Sequence, residues 1–246
     1  MHRLYLKSEI WFAILWIIAY VAGTSAADLL SEAAGLAKGF TLLYHLLLSA
    51  AALVWIRRHG LMKKYGLCRP AFPASRMLYY LPLCALVSCN LWFGIGLNLS
   101  VVETILYAFS MICVGFLEEV IFRGFLFRAM EKDGVRSAVI VSSITFGIGH
   151  IVNLINGSGA ETLSTICQVG YAIAFGFLFV ILFLRGRSLL PCILAHSVMN
   201  ALSVFANEDL LTGRTQIAVS VILAVGALAY TAYLLRSLPC QNEKSI

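Results

Sequence analysis

The chain contains 246 residues, of which 61% are hydrophobic and only 12% are charged. A soluble globular domain carries about 45–50% apolar and about 25% charged residues, so this composition excludes an ordinary soluble domain and indicates a polytopic membrane protein. The formal net charge of +6 would favour an acidic partner in a soluble protein, but here the basic residues lie between apolar segments, where they orient a membrane protein. We therefore expect no nucleic-acid partner.

Eight apolar segments, each of roughly 17–27 residues, are long enough to cross a bilayer of about 30 Å as helices. The first segment ends in an alanine-rich stretch, 22–27, that loosely resembles a signal-peptide cleavage region, and we interpret it as a retained helix. In chain order the segments are 10–27, 36–56, 77–97, 101–127, 137–155, 163–184, 188–206 and 215–235.

The basic residues are distributed unevenly between the two sets of alternating loops. One set, together with the two ends of the chain, holds 16 of the 18 Lys and Arg residues, and the other holds only Lys38 and Arg214. The positive-inside rule then predicts an all-α bundle of eight membrane helices with both termini in the cytoplasm. We divide it into helices 1–3 (residues 1–100), a core of helices 4–7 (101–210), and helix 8 with the tail (211–246).

The fourth segment carries two adjacent acids and an arginine, Glu118, Glu119 and Arg123. Ionisable residues at membrane depth cost at least a few kcal/mol, and each is by default a candidate functional residue. Glu119 and Arg123 are spaced i,i+4 and share a helix face, which predicts an ion pair that neutralises Glu119. Glu118 is rotated by about 100° from Glu119, so we expect the two acids to have separate roles.

Two further segments carry residue pairs at i,i+4 spacing that include polar side chains. These pairs are Phe146 with His150 on the fifth segment and His196 with Asn200 on the seventh. Counted from the basic residues at the predicted cytoplasmic ends, Glu118, His150 and His196 lie about 15, 21 and 14 Å deep. Either histidine alone is more readily explained as an interhelical hydrogen bonder, and the ion pair alone as structural. Their agreement in depth predicts that three helices bring these residues to one layer.

This set of groups is suited to hydrolysis. A carboxylate and an imidazole that share a water can deprotonate it for attack on a carbonyl carbon, and the acid can pass the proton to the leaving amine. A second imidazole and an amide can stabilise the oxyanion that develops. The same chemistry allows an alternative in which Glu118, His150 and His196 ligate zinc and leave a fourth position for water.

The motifs resemble those of the CAAX prenyl endopeptidase and bacteriocin-processing group of intramembrane proteases, called CPBP or Abi proteins. The family's EExxxR, FxxxH and HxxxN motifs match 118–123, 146–150 and 196–200, and the resemblance covers about 109–205. It implies that Glu118 and His150 activate a water, that His196 and Asn200 form the oxyanion site, and that Glu119 and Arg123 support them. Phe146 would lend structural support. The family is conventionally described as metalloproteases, but the glutamate mechanism requires no cofactor.

We therefore expect an intramembrane endopeptidase, embedded in the lipid bilayer of a bacterial cell membrane, that cleaves a peptide or a membrane-protein segment. The prenyl-cysteine substrate of eukaryotic members is not carried over, because no feature of the sequence is suited to a lipid group. Two other classes remain open: a non-catalytic protein of the same scaffold acting in bacteriocin immunity or protein maturation, and a proton-coupled transporter in which Glu118 and the histidines relay protons. No oligomeric state is predicted.

Overall fold

The computed structural model describes residues 1–70, 78–154, 162–207, 209–210 and 213–237. Regular structure in these residues is helical, and one isolated bridge between Ile95 and Ala206 accompanies it. The predicted all-α class is therefore confirmed. The α-helices are α1 (His2–Lys7), α2 (Glu9–Ala33), α3 (Gly39–Arg58), α4 (Leu81–Val87), α5 (Val101–Glu118), α6 (Arg128–Glu131), α7 (Val135–Gly149), α8 (Thr162–Gly186), α9 (Leu190–Leu202) and α10 (Gly213–Ser237).

Six helical stretches of the described chain are long and apolar enough to cross a membrane. The longest joins α5, a π-helix over Glu119–Phe127 and α6 into one rod of 31 residues, Val101–Glu131. The remaining five are Glu9–Ala33, Gly39–Arg58, Val135–Leu154, Thr162–Gly186 and Gly213–Ser237.

The third and seventh predicted segments form shorter helices, so the prediction of eight full-length spans is not confirmed. In the third, α4 has only seven residues between 3₁₀ turns, and the predicted start at Met77 lies outside the described residues. Pro82 fixes the start of α4, and Gly94 at φ 88° turns the chain away soon after its end. In the seventh, α9 and the following 3₁₀ turn cover Leu190–Phe205, with Pro191 in the first turn.

The sidedness of the termini stays a prediction. Residues 156–159, which follow the fifth predicted segment, and the tail from 238 lie outside the described residues.

The central rod begins at a strong local signal. Ser100 caps α5 by accepting a hydrogen bond from the backbone N–H of Glu103, whose side chain reaches back to Ser100. The helix widens at Glu119, and all nine residues of the π-helix are buried. π-Helical segments are rare and are often found at functional sites. The widening begins between the two adjacent glutamates.

Close helix contacts set the positions of the elements around this rod. α5 packs against α9 and α3, α2 packs against α3 and the π-helix, and α7 packs against α8, which also contacts α10. A Cβ at Gly115 would lie 2.5 Å from the backbone nitrogen of Ser197, so α5 and α9 touch backbone to backbone. Gly147 of α7 meets Ile173 of α8 in the same way. These contacts bring the polar residues of three helices together.

Candidate active site

The two adjacent glutamates point to different surroundings, as their spacing predicted. Glu118 is the last residue of α5, and its side chain is 12% exposed and lines a cavity. Its Oε1 accepts a hydrogen bond of 2.7 Å from the Tyr20 hydroxyl of α2. Its Oε2 accepts no hydrogen bond from the described residues. Glu119, the first residue of the π-helix, is completely buried.

Glu119 forms the ion pair that the i,i+4 spacing predicted. Its Oε1 lies 3.0 Å from Nη1 of Arg123, and both side chains are fully buried. The guanidinium carbon of Arg123 lies 4.1 Å from the ring centroid of Phe146 and 5.6 Å from that of Phe179. An aromatic face attracts a cation, most strongly where water is excluded. The charge of Arg123 is therefore compensated by one carboxylate and two rings.

His196 of α9 connects the two glutamates. Its Nδ1 lies 2.8 Å from Oε1 of Glu119, and its Nε2 lies 3.4 Å from Oε2 of Glu118. The sequence led us to group His196 with Glu118 and to pair Glu119 with Arg123 alone. The structure keeps both contacts and adds a third, because Glu119 holds both Arg123 and His196 through one oxygen. The spacing within one helix carries no information about a partner on another.

The number of protons shared by four groups follows from their contacts. The four groups are the side chains of Glu118, Glu119, Arg123 and His196. Glu119 is ionised because it pairs with Arg123, so Nδ1 of His196 donates to it. One further proton can then reside on Nε2 of His196 or on Glu118. In both forms the four groups have a net charge of zero, which is the state that a site shielded from water favours. The site can thus move a proton between Glu118 and His196 without building up charge.

His150 and Asn200 line the same cavity as Glu118 and His196. His150 follows α7 directly, and its Nδ1 lies 3.2 Å from the carbonyl oxygen of Phe146. Since a carbonyl can only accept, Nδ1 carries a proton and Nε2 of the neutral ring is an acceptor. The ring of Phe146 packs edge-on against both histidines, at centroid distances of 5.3 and 5.7 Å. Among the described residues, no hydrogen bond joins His150 or Asn200 to either glutamate.

The cavity has a volume of about 440 Å³ and reaches from Glu118 to polar side chains of several helices. Asn90, Gln168 and Gln216 are among its lining residues. A second, smaller space of about 90 Å³ between α2 and the end of α7 also borders Glu118 and His150. Both spaces are large enough to hold water beside Glu118.

Tyr20 and Phe179 belong to the site and were missed by the sequence interpretation. Tyr20 lies 98 positions before its partner Glu118, in a segment whose periodicity indicated only a membrane helix. Phe179 is one of several phenylalanines of α8 with the same buried character. His45 of α3 bonds Thr24 of α2 at 3.0 Å and Ser110 of α5 at 3.0 Å, so it joins three helices by hydrogen bonds.

The side-chain arrangement bears on the zinc alternative at one point. In the described part of the chain, no group of three or more His, Cys, Asp or Glu side chains is arranged to hold a metal ion. A catalytic zinc takes three protein ligands and a water, and Glu118, His150 and His196 are not gathered into such a set. Nδ1 of His196 is bonded to Glu119 and Nδ1 of His150 to a backbone carbonyl, as is also usual in metal-ligating histidines, so these hydrogen bonds do not count against zinc.

Comparison with known proteins defines the class of the chain. Six apolar helices and a matched domain of membrane proteases make it a multi-pass integral membrane protein. Residues 100–202 match the family model of type II CAAX prenyl endopeptidase Rce1-like proteins, so this segment is similar to the CPBP/CAAX protease family. The match covers less than half of the 246 residues but contains all three motifs. No curated protein and no solved structure gives a significant match.

Proposed function

We propose that the protein is an intramembrane endopeptidase that hydrolyses a peptide bond with a water activated by Glu118. The observation that carries this proposal is Oε2 of Glu118, which accepts no hydrogen bond from the described residues and lies 3.4 Å from Nε2 of His196, in a side chain that lines the cavity. A carboxylate with one unoccupied oxygen next to a proton-carrying imidazole has the groups that general acid–base catalysis requires. The family of residues 100–202 supports a peptidase.

In the proposed reaction, Glu118 and His150 orient one water in the cavity. Glu118 accepts a proton from this water while the water oxygen attacks the carbonyl carbon of the scissile bond. His196, in its form protonated on Nε2, and the amide of Asn200 donate hydrogen bonds to the oxyanion. Glu118 then passes its proton to the leaving amine as the carbon–nitrogen bond breaks. Glu119 and Arg123 hold His196 in place throughout.

We propose a peptide or a membrane-protein segment as the substrate. The side chains of Asn90, Gln168 and Gln216 line the cavity. One amide atom of each is already bonded within the protein, and the other can pair with a peptide backbone. An isoprenoid chain would offer these remaining amide atoms no partner, at a cost of about 1–3 kcal/mol each. The cavity therefore suits a peptide better than a prenyl group.

The proposal is tested with the purified full-length chain and a degenerate library of internally quenched peptides, with cleavage sites identified by mass spectrometry. We expect the wild type to cleave a subset of the library. Glu118→Gln and His150→Ala should lose at least about 100-fold in rate, because the first removes the base that takes the proton of the water and the second removes a group that orients this water. Glu32→Gln, which changes an exposed carboxylate of α2, is the matched control and should cleave normally.

Equal rates for the wild type, Glu118→Gln and His150→Ala would refute the proposal. In cells, a phenotype that survives Glu118→Gln would favour the non-catalytic alternative. Uptake into proteoliposomes driven by a pH gradient would favour the transporter.

A further inference from the structure

Tyr20 contacts the proposed catalytic acid from a part of the chain that lies outside the matched family segment. It belongs to α2, whereas the match begins at residue 100. Its side chain is buried, and its hydroxyl donates a hydrogen bond of 2.7 Å to Oε1 of Glu118. Among the described residues, Tyr20 is the only one from which the Glu118 carboxylate accepts a hydrogen bond.

The position of the Tyr20 hydroxyl is determined by tight packing. Phe12, Trp16 and Tyr20 follow one another at i,i+4 spacing and form one buried stripe of α2. The rings of Phe12 and Trp16 pack against Phe125 of the π-helix, at centroid distances of 5.1 and 5.5 Å. The ring of Tyr20 lies 6.0 Å from that of the buried His45. The stripe thus fixes α2 to the same continuous rod, Val101–Glu131, that carries the acids.

We propose that Tyr20 is a positioning residue that holds the carboxylate of Glu118 in its reactive orientation. A carboxylate that accepts a hydrogen bond through Oε1 cannot rotate freely, so Oε2 remains next to Nε2 of His196. Hydrogen bonds to charged groups are about twice as strong as neutral ones, and a buried phenol is a rigid donor. This inference rests on the proposed peptidase function, because it assigns Tyr20 a role only through Glu118.

The first test compares Tyr20→Phe with Tyr44→Phe, using the best-cleaved peptide of the library. Tyr44 is a matched control, because its hydroxyl also joins α2 to a neighbouring helix, donating to the carbonyl oxygen of Ala19 at 2.6 Å. We expect Tyr20→Phe to lower kcat about tenfold with KM unchanged, since a lost hydrogen bond to a charged group is worth that much. Tyr44→Phe should keep the wild-type kcat.

The second test separates positioning from a general structural role. Glu118→Asp shortens the acid by one methylene, so its carboxylate no longer reaches the Tyr20 hydroxyl. In this background Tyr20→Phe should change the residual rate less than twofold, whereas a merely structural effect would multiply with that of Glu118→Asp. The melting temperature of each variant in detergent shows whether folding contributes.

The possible results distinguish this inference from the function on which it rests. A tenfold loss for Tyr20→Phe that disappears in the Glu118→Asp background supports the inference. Three results would overturn the inference while the wild type still cleaves, and each would leave the peptidase proposal intact. They are an unchanged kcat in Tyr20→Phe, a raised KM alone in Tyr20→Phe, and losses for Tyr20→Phe and Glu118→Asp that multiply in the double variant. Absence of cleavage by the wild type would overturn both.

Discussion

His196 is bound by Glu119, the buried acid of the adjacent pair, with its Nδ1 2.8 Å from Oε1 of that residue. The same oxygen lies 3.0 Å from Nη1 of Arg123. One buried carboxylate therefore joins the arginine of the first motif to the histidine of the third. Glu119 neutralises Arg123 and also sets the ring orientation of His196, so that Nε2 faces Glu118. The two roles expected for the acids are thus connected through one imidazole.

The buried pair of Glu119 and Arg123 predicts a strongly non-additive effect on stability. Glu119→Gln and Arg123→Met each leave one buried charge without its partner, which costs about 3–5 kcal/mol. The double variant removes both charges, and we expect it to be more stable than either single variant. Thermal unfolding of the wild type, both single variants and the double variant in detergent measures these differences in stability.

Glu131→Gln is the control for the pair, since it breaks the partly exposed Arg128–Glu131 pair of the same rod and should cost less than about 1 kcal/mol. A double variant as unstable as the sum of the single variants would contradict this account of the buried pair.

The contact between Gly115 and Ser197 predicts that α5 and α9 cannot tolerate a methyl group between them. A Cβ at Gly115 would lie 2.5 Å from the backbone nitrogen of Ser197 and 2.6 Å from its Cα. Gly115→Ala should therefore separate the helices and move His196 away from the glutamates. We expect peptide cleavage to fall at least about tenfold, because a displacement near 1 Å is costly in an active site.

Gly170→Ala provides the control for this substitution. Gly170 lies in the helical interior of α8, where an added Cβ meets no atom within 4 Å. Alanine there should preserve activity and raise stability slightly, because it reduces the conformational freedom of the unfolded chain. Normal cleavage by Gly115→Ala would show that the close contact does not position the site.

The site could be predicted in part because its strongest signals are local. Charged residues in an apolar helix are conspicuous, and an i,i+4 spacing places Glu119 and Arg123 on one face whichever helix they later meet. The divergence of Glu118 from Glu119 follows from the same geometry. These inferences require only the pitch of a helix.

The rest depends on contacts between distant segments. Nothing near Tyr20 indicates that it meets Glu118, and the pairing of His196 with Glu119 depends on the approach of α9 to α5. The change to a π-helix after Glu118 has no sequence signal that we can name. The third segment was predicted longer than its described helix because average hydropathy does not register a 3₁₀ turn or the turn at Gly94.

The grouping of the His, Cys, Asp and Glu side chains predicts that activity does not depend on a bound metal. Among the described residues, no three of these side chains are arranged to hold a metal ion. We expect the purified enzyme to keep its cleavage rate after dialysis against a strong chelator, with far less than one zinc per chain by elemental analysis. Stoichiometric zinc that is lost from His150→Ala or His196→Ala, together with inactivation by the chelator, would establish the metal mechanism instead.

The Lys64–Glu9 pair predicts a dependence of stability on alkaline pH. Nζ of Lys64 donates to Oε2 of Glu9 at 2.6 Å and to the Tyr5 hydroxyl at 2.9 Å. Burial lowers the pKa of Lys64, but these hydrogen bonds outweigh it and the pKa is raised. A raised pKa means that the stabilisation is fully present below the unfolded value of about 10.4 and is lost as the pH rises through the folded value.

We therefore expect Lys64→Met to melt below the wild type at pH 8 and the difference to narrow above about pH 10.4. Lys63→Met, which changes the exposed neighbour, should follow the wild type at every pH. Ionisation of the tyrosines that do not contact Lys64 affects all three proteins alike, so the comparison isolates Lys64 together with its partner Tyr5. The difference in melting temperature between Lys64→Met and the wild type could instead stay constant from pH 8 to high pH. That result would show that the charge of Lys64 does not stabilise this contact between α2 and the loop after α3.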